Sequence, residues 1–241
     1  MAAADQSADA AGAGAGAGTD GGGPVLDWRG DTPVSRAHGD PYHTGGLAEA
    51  RHVFLAGNRL PERFRPGFVI AELGFGTGLN LFAALLAWRA AGIAGRLAYT
   101  GFEAAPLPAA AIARALAPFP EIAAAARPFL DRWAAGDRRI ALPDLAAEIV
   151  AGDARASLPA WPGRADAWFL DGFAPARNPE MWEPALMAAV AAHTAAGGSF
   201  ATYTAAGAVR RALQAAGFAV ERAPGFGAKR HMTRGVLRGG R

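Results

Sequence analysis

From Phe68 onward the chain repeats one unit: a short, mainly apolar run, an exit marked by glycine or an acid, then a helix-length stretch. The runs are "FVIAEL" (68–73), "RLAYTGFE" (96–103), "AEIVAGD" (147–153), "DAWFLDG" (166–172), "SFATYT" (199–204) and "FAVERAP" (218–224). Apolar on successive residues, they suit strands buried on both faces, as in a parallel sheet. Helices are predicted between them at 79–91, 108–117, 120–134, 183–198 and 205–217, several opened by proline or closed by glycine. Strand alternating with helix predicts a doubly wound α/β domain with a mostly parallel sheet.

Residues 24–66 break the alternation. Turn residues separate short apolar pieces there, which predicts a β-rich N-terminal extension, hairpins and a short helix, packed on a core domain at 67–241. Residues 1–23 are rich in Ala and Gly and are expected to form a disordered tail. That tail has neither the basic nor the apolar region of a secretory signal. The best apolar stretch, Leu81 to Trp88, is too short to span a membrane. A cytoplasmic protein is expected.

The chain has no cysteine, which removes disulfides, thiolate metal sites and cysteine nucleophiles. Its five histidines lack metal-ligand spacing, so no metal site is expected. Charge is uneven: from Pro184 to Arg241 eight Lys and Arg stand against the single acid Glu221. Such a basic third favours an anionic partner, for which nucleic acid is the first candidate, although solubility alone would also account for it.

Ligands of open α/β sheets bind outside the carboxyl ends of the strands. The first strand ends in Glu72 and then Gly74-Phe75-Gly76-Thr77-Gly78, a loop whose backbone a ligand can approach closely. The second ends in Glu103, suited to accepting both hydroxyls of a ribose. The third ends in Gly152-Asp153 and the fourth in Asp171. Alone, the glycine loop reads equally as a tight turn; in register with these acids it indicates a nucleoside cofactor. The loop departs from the dinucleotide GxGxxG spacing, and no basic residue lies in the loop or the first helix until Arg89. Glu72 would repel a pyrophosphate but suit a ligand with an amino group and a sulfonium, which is S-adenosylmethionine. Asp171 then reads as the acid that orients an amine acceptor and assists its proton loss. Phe173, in the stiff segment behind it, offers a stacking surface. Asp171 reads alternatively as a helix cap or a partner of Arg177.

The segments "GLAEARHVFLAGNRLPERF", "ELGFGTGLN", "DAWFLDGFAPARNPEMW", "GGSFATYTAAGAVRRALQAAGF" and "GFGAKRHM" resemble the tRNA 5-methylaminomethyl-2-thiouridine methyltransferases, the N-terminal half of bifunctional MnmC. The resemblance implies a class I, Rossmann-like methyltransferase fold with a seven-stranded sheet. It implies methyl transfer to the aminomethyl group of a tRNA wobble uridine. It places Glu72, Gly74, Gly76, Gly78 and Asn80 in the cofactor loop, Glu103 at the ribose, Asp153 on the adenine side and Asp171 facing the amine. Phe173, Arg177, Lys229 and Arg230 become candidate contacts to substrate or tRNA; Arg210 and Arg211 serve equally to solvate a helix face. Departures from the family pattern at His43, Ala205, Ala228 and His231 touch the substrate side. No second nucleotide fingerprint for an FAD oxidase is visible, so a stand-alone methyltransferase is expected, linked in function to enzymes that install the aminomethyl group. The alternative is a methyltransferase acting on a small-molecule or protein amine. A dehydrogenase with an unusual loop and a tRNA-binding scaffold without turnover are further rivals.

Overall fold

The computed structural model describes residues 24–239. The tail predicted at 1–23 lies outside them.

The alternation found in the sequence becomes one mixed sheet of eight strands. Its strands are β4 (Val69–Leu73), β5 (Leu97–Glu103), β6 (Arg139–Ala141), β7 (Leu145–Ala151), β8 (Ala165–Leu170), β9 (Thr194–Thr202), β10 (Phe218–Pro224) and β11 (His231–Leu237). They lie in the order β10-β11-β9-β8-β4-β5-β7-β6. The five central strands, β9 to β7, pair in parallel, and β11 and β6 are antiparallel to their neighbours. Seven strands were expected. The eighth is β6, a three-residue edge strand too short to show a period.

Along each central strand the side chains alternate between two cores, as a pleat requires. Ile70, Ala167 and Phe169 point to the face covered by α2 (Leu79–Ala90) and α4 (Pro120–Ala134). Ala71, Leu73, Trp168 and Leu170 point to the face covered by α6 (Pro184–Ala192) and α7 (Gly207–Ala215). The same alternation turns Glu72 toward the α2 face.

Two elements depart from expectation. The helix predicted over 183–198 stops at Ala192, because "TAAGG" belongs to β9. Those residues form an irregularity that shifts the register against β8, and Gly197 takes a φ of +69° there. Strand β11 was not predicted; its Thr233 and Arg234 interrupt any apolar run, yet it pairs on both sides.

Residues before β4 form a second layer. Strands β1 (Leu26–Arg29), β2 (Thr32–Ser35) and β3 (Asp40–Pro41) make an antiparallel sheet. Then α1 (Gly46–Glu49) continues through a π turn, Ala50–Leu55, and a 3-10 turn, Ala56–Asn58. This layer is tied down by polar contacts: Asn58 Nδ2 donates to the Trp168 carbonyl at 3.2 Å, and Ser199 Oγ donates to Asn58 Oδ1 at 2.6 Å. Among the described residues, no helix is long and apolar enough to cross a membrane.

Candidate active site

β4 neighbours β5 on one side and β8 on the other, so the crossover direction reverses between β4 and β8. A crevice opens at such a switch point. Here it is a cavity of about 1010 Å3, floored by the exits of β4, β5 and β8 and walled by β2, β3 and α1.

The glycine loop forms its base. Gly74, Gly76 and Gly78 have φ of +84°, +51° and +70°, which favours glycine at each. A β-carbon on Gly74 would overlap the Asp171 carbonyl, so glycine lets the two strand exits close up. Glu103 braces the loop from β5: Oε2 accepts from the Gly76 amide at 2.8 Å and Oε1 from the Ala105 amide at 3.0 Å. Burial pushes its carboxyl up. Each oxygen keeps a lone pair for a hydroxyl.

The acids of β4 and β8 meet through one side chain. Asn80, on the first turn of α2, donates from Nδ2 to Glu72 Oε1 and to Asp171 Oδ2, each at 2.7 Å. Tyr99 donates its hydroxyl to Glu72 Oε2 at 2.6 Å. Burial raises the Glu72 carboxyl well above its ordinary range, and the nearby Asp171 adds to this. Glu72 is fully buried and does not line the cavity, which corrects its expected place beside a ligand. The pleat turns it under α2, so it acts on the cavity only through Asn80. Asp171 does line the cavity, and burial lifts its carboxyl to about 7, against the hydrogen bond from Asn80.

Asp153 also lines the cavity, where it caps α5 (Ala154–Ser157) by accepting from the Arg155 amide at 2.8 Å and pairs with the Arg155 guanidinium at 2.7 Å. Phe173 lines it beside two rings absent from the expected set, His38 at 4.7 Å and Tyr42 at 5.1 Å between centroids. Arg177 points elsewhere: it donates to the His38 carbonyl at 3.1 Å and lies 3.9 Å from Asp40, clamping β3 to the loop after β8. Arg230 is exposed and does not line the cavity, since the turn after β10 aims only its neighbour inward. That neighbour, Lys229, meets Glu49 of α1 at 2.7 Å and lies over the Tyr203 ring at 4.2 Å. Glu49, Tyr203, His38 and Tyr42 were not singled out in the sequence. Glu49, His38 and Tyr42 sit in the turn-rich segment 24–66 and Tyr203 near the end of a predicted strand, and only the fold brings them together.

The residues fit S-adenosylmethionine. The glycine cradle admits a backbone-close ligand, Glu103 retains acceptors for a ribose, and the cavity-lining arginines, Arg36 and Arg155, are paired with Asp27 and Asp153. No cation of the loop itself is available for a pyrophosphate.

Comparison with known proteins agrees. Residues 120–238 match the model of a family described as S-adenosyl-L-methionine-dependent methyltransferase. The chain is 50% identical over 216 residues to the tRNA 5-methylaminomethyl-2-thiouridine biosynthesis bifunctional protein MnmC of Caulobacter vibrioides, covering 85% of this chain and 36% of that protein. It is 46% identical over 230 residues to the protein of the same name from Chromohalobacter salexigens, covering 89% and 33%. The chain thus spans about a third of the length of these curated relatives. The crystal structure of MNMC2 from Aquifex aeolicus superposes with a TM-score of 0.71, over 92% of this chain and 72% of that one, at 24% identity, and shows the shared fold. Residues 120–238 of the chain thus carry the match to this family of S-adenosyl-L-methionine-dependent methyltransferases.

Proposed function

We propose that the protein methylates the aminomethyl group of a 5-aminomethyluridine, 2-thiolated or not, at the wobble position of tRNA, giving the 5-methylaminomethyl nucleoside. The observation that carries this reading is Asp171: a carboxyl that burial pushes up to about 7, oriented by Asn80, and open to a cavity with aromatic walls. The name of the relatives, which assigns them to tRNA 5-methylaminomethyl-2-thiouridine biosynthesis, supports the same substrate.

In this reading Gly74, Gly76, Gly78, Glu103 and Asp153 hold the cofactor, with Asn80 beside them. When bound, the cofactor supplies an electrophilic methyl on a sulfonium. Asp171 accepts an N–H of the amine and aims its lone pair. Asp171 would then take the proton that the amine nitrogen sheds on accepting the methyl group. Phe173, with His38 and Tyr42, flanks the base. Arg230, exposed outside the cavity, is kept as a phosphate contact, whereas Arg177 acts by holding the wall. Residues 24–66 thus serve as the substrate-side wall of a catalytic domain at 67–241. The substrate assigns the enzyme to the cytoplasm, downstream of whichever reaction installs a primary aminomethyl group.

The test uses labelled methyl donor with tRNA bearing 5-aminomethyluridine, unmodified tRNA and a panel of small primary amines. Label in the aminomethyl tRNA alone is expected. Label in small amines and in neither tRNA would replace this reading with that of a small-amine methyltransferase.

A further inference from the structure

The cavity holds one charged pair to which the methyl-transfer chemistry gives no task. Glu49 and Lys229 stand 180 positions apart in sequence, meet at 2.7 Å, and line the same space as Asp171. Their hydrogen-bonding capacity is not exhausted. Glu49 Oε2 accepts from the Thr44 hydroxyl at 3.0 Å and the Gly45 amide at 2.8 Å, while Oε1 accepts from Lys229 alone among the described residues. An ammonium has three donors. One of Lys229's goes to Glu49, and its charge rests on the Tyr203 ring. Burial pushes the Glu49 carboxyl up, but Lys229, Gly45 and Thr44 together bring it below the ordinary range, so it stands as an ionised acceptor.

Order along the wall matters. Asp171 follows β8, and the carbonyl of the next residue, Gly172, accepts from the Tyr203 hydroxyl at 2.8 Å. Lys229 covers that tyrosine, and Glu49 follows. The sequence of groups is carboxylate, ammonium, carboxylate. A uracil ring substituted at C5 presents an amine, then the O4 acceptor, then the N3–H donor, in the same order. Resting on the function proposed above, we infer that Lys229 and Glu49 read the Watson–Crick edge of the target base, Lys229 donating to O4 and Glu49 Oε1 accepting from N3–H. The pair keeps its own contact and spends only spare valences. Cytosine inverts both positions, offering a donor to Lys229 and an acceptor to Glu49. A base lifted out of its stack is commonly identified by this edge.

The experiment compares anticodon stem-loops carrying 5-aminomethyluridine or 5-aminomethylcytidine, with wild type, Glu49→Gln and Lys229→Met. Stem-loop affinity is measured without donor, kcat and KM are measured separately, and retained donor binding reports that each variant is folded. Wild type is expected to favour the uridine by roughly a hundredfold in kcat/KM. Glu49→Gln, whose amide can donate to cytosine N3, is expected to narrow that preference about tenfold, mainly through KM and stem-loop affinity. Equal use of both bases by wild type, or an unchanged preference in both variants, would overturn the edge reading while leaving the methyltransferase reading intact. Methylation of neither stem-loop would overturn the proposed function and this inference with it.

Discussion

Asn80 donates to Asp171 across 2.7 Å, and the same nitrogen donates at the same distance to Glu72. One amide therefore couples the exits of two neighbouring strands. It orients the carboxylate that faces the cavity and ties it to one sealed beneath α2. Because a hydrogen bond to the charged form favours that form, Asn80 opposes the burial that pushes the Asp171 carboxyl up.

The acid limb of catalysis follows from that balance. In the proposed function Asp171 acts as its carboxylate, and its carboxyl is lifted from 3.8 to about 7. The active form is therefore lost as pH falls through about 7. In a pH profile, kcat/KM for the aminomethyl substrate should fall more steeply below about 7 than above it, where only proton loss from the substrate amine still raises it. An acid limb near 4, the ordinary range of a carboxylate, would mean that burial does not govern this group.

Replacing Asn80 by alanine removes a donor to the carboxylate. The acid limb should then move to higher pH, by about one unit, because less opposes desolvation. The measurement is the same pH profile on Asn80→Ala. A limb that stays in place or moves down would dissociate Asn80 from Asp171 titration.

Glu103 accepts two loop amides and, in the proposed function, the cofactor ribose. Glu103→Ala is expected to weaken binding of S-adenosylmethionine by about tenfold or more, as titration calorimetry would read. Unchanged affinity would move the ribose contact elsewhere.

Much of this site is legible in the sequence, and the part that is not has a physical reason. "GFGTG" after an apolar run declares itself locally, because positive φ and a strand-to-helix turn leave glycine at fixed offsets. Asp171 is marked likewise by the run that ends at it. Lys229 stands out as the one lysine, but nothing local ties it to Glu49; the pairing is set by how β10, β11 and α1 pack. His38 and Tyr42 lie in a turn-rich segment where neither period applies, so their approach to Phe173 is a tertiary fact. Glu72 was legible as a strand-end acid but not as a buried one. Its direction depends on which face of the sheet α2 covers. The "TAAGG" of β9 misleads for the opposite reason: small residues and glycines at a helix end are what a C-cap also looks like.

The packing of the two strand exits yields a stability test. Gly74 has φ +84° and its missing β-carbon would overlap the Asp171 carbonyl, whereas Gly92 has φ +65° with nothing near. Both alanine variants carry left-handed strain of about 1–2 kcal/mol, and only Gly74→Ala adds a collision with backbone. Gly74→Ala should lower Tm by roughly 5 °C more than Gly92→Ala, read by calorimetry. Equal losses would show that the β4–β8 approach is looser than described.

The most direct measurement of the central claim is single-turnover transfer of labelled methyl to aminomethyl tRNA by wild type and Asp171→Asn, with donor affinity measured in parallel. The account expects donor binding within a few-fold of wild type and transfer slowed by about a hundredfold or more, the scale of a lost general base. Transfer within a few-fold of wild type in Asp171→Asn would contradict the role assigned to this carboxylate.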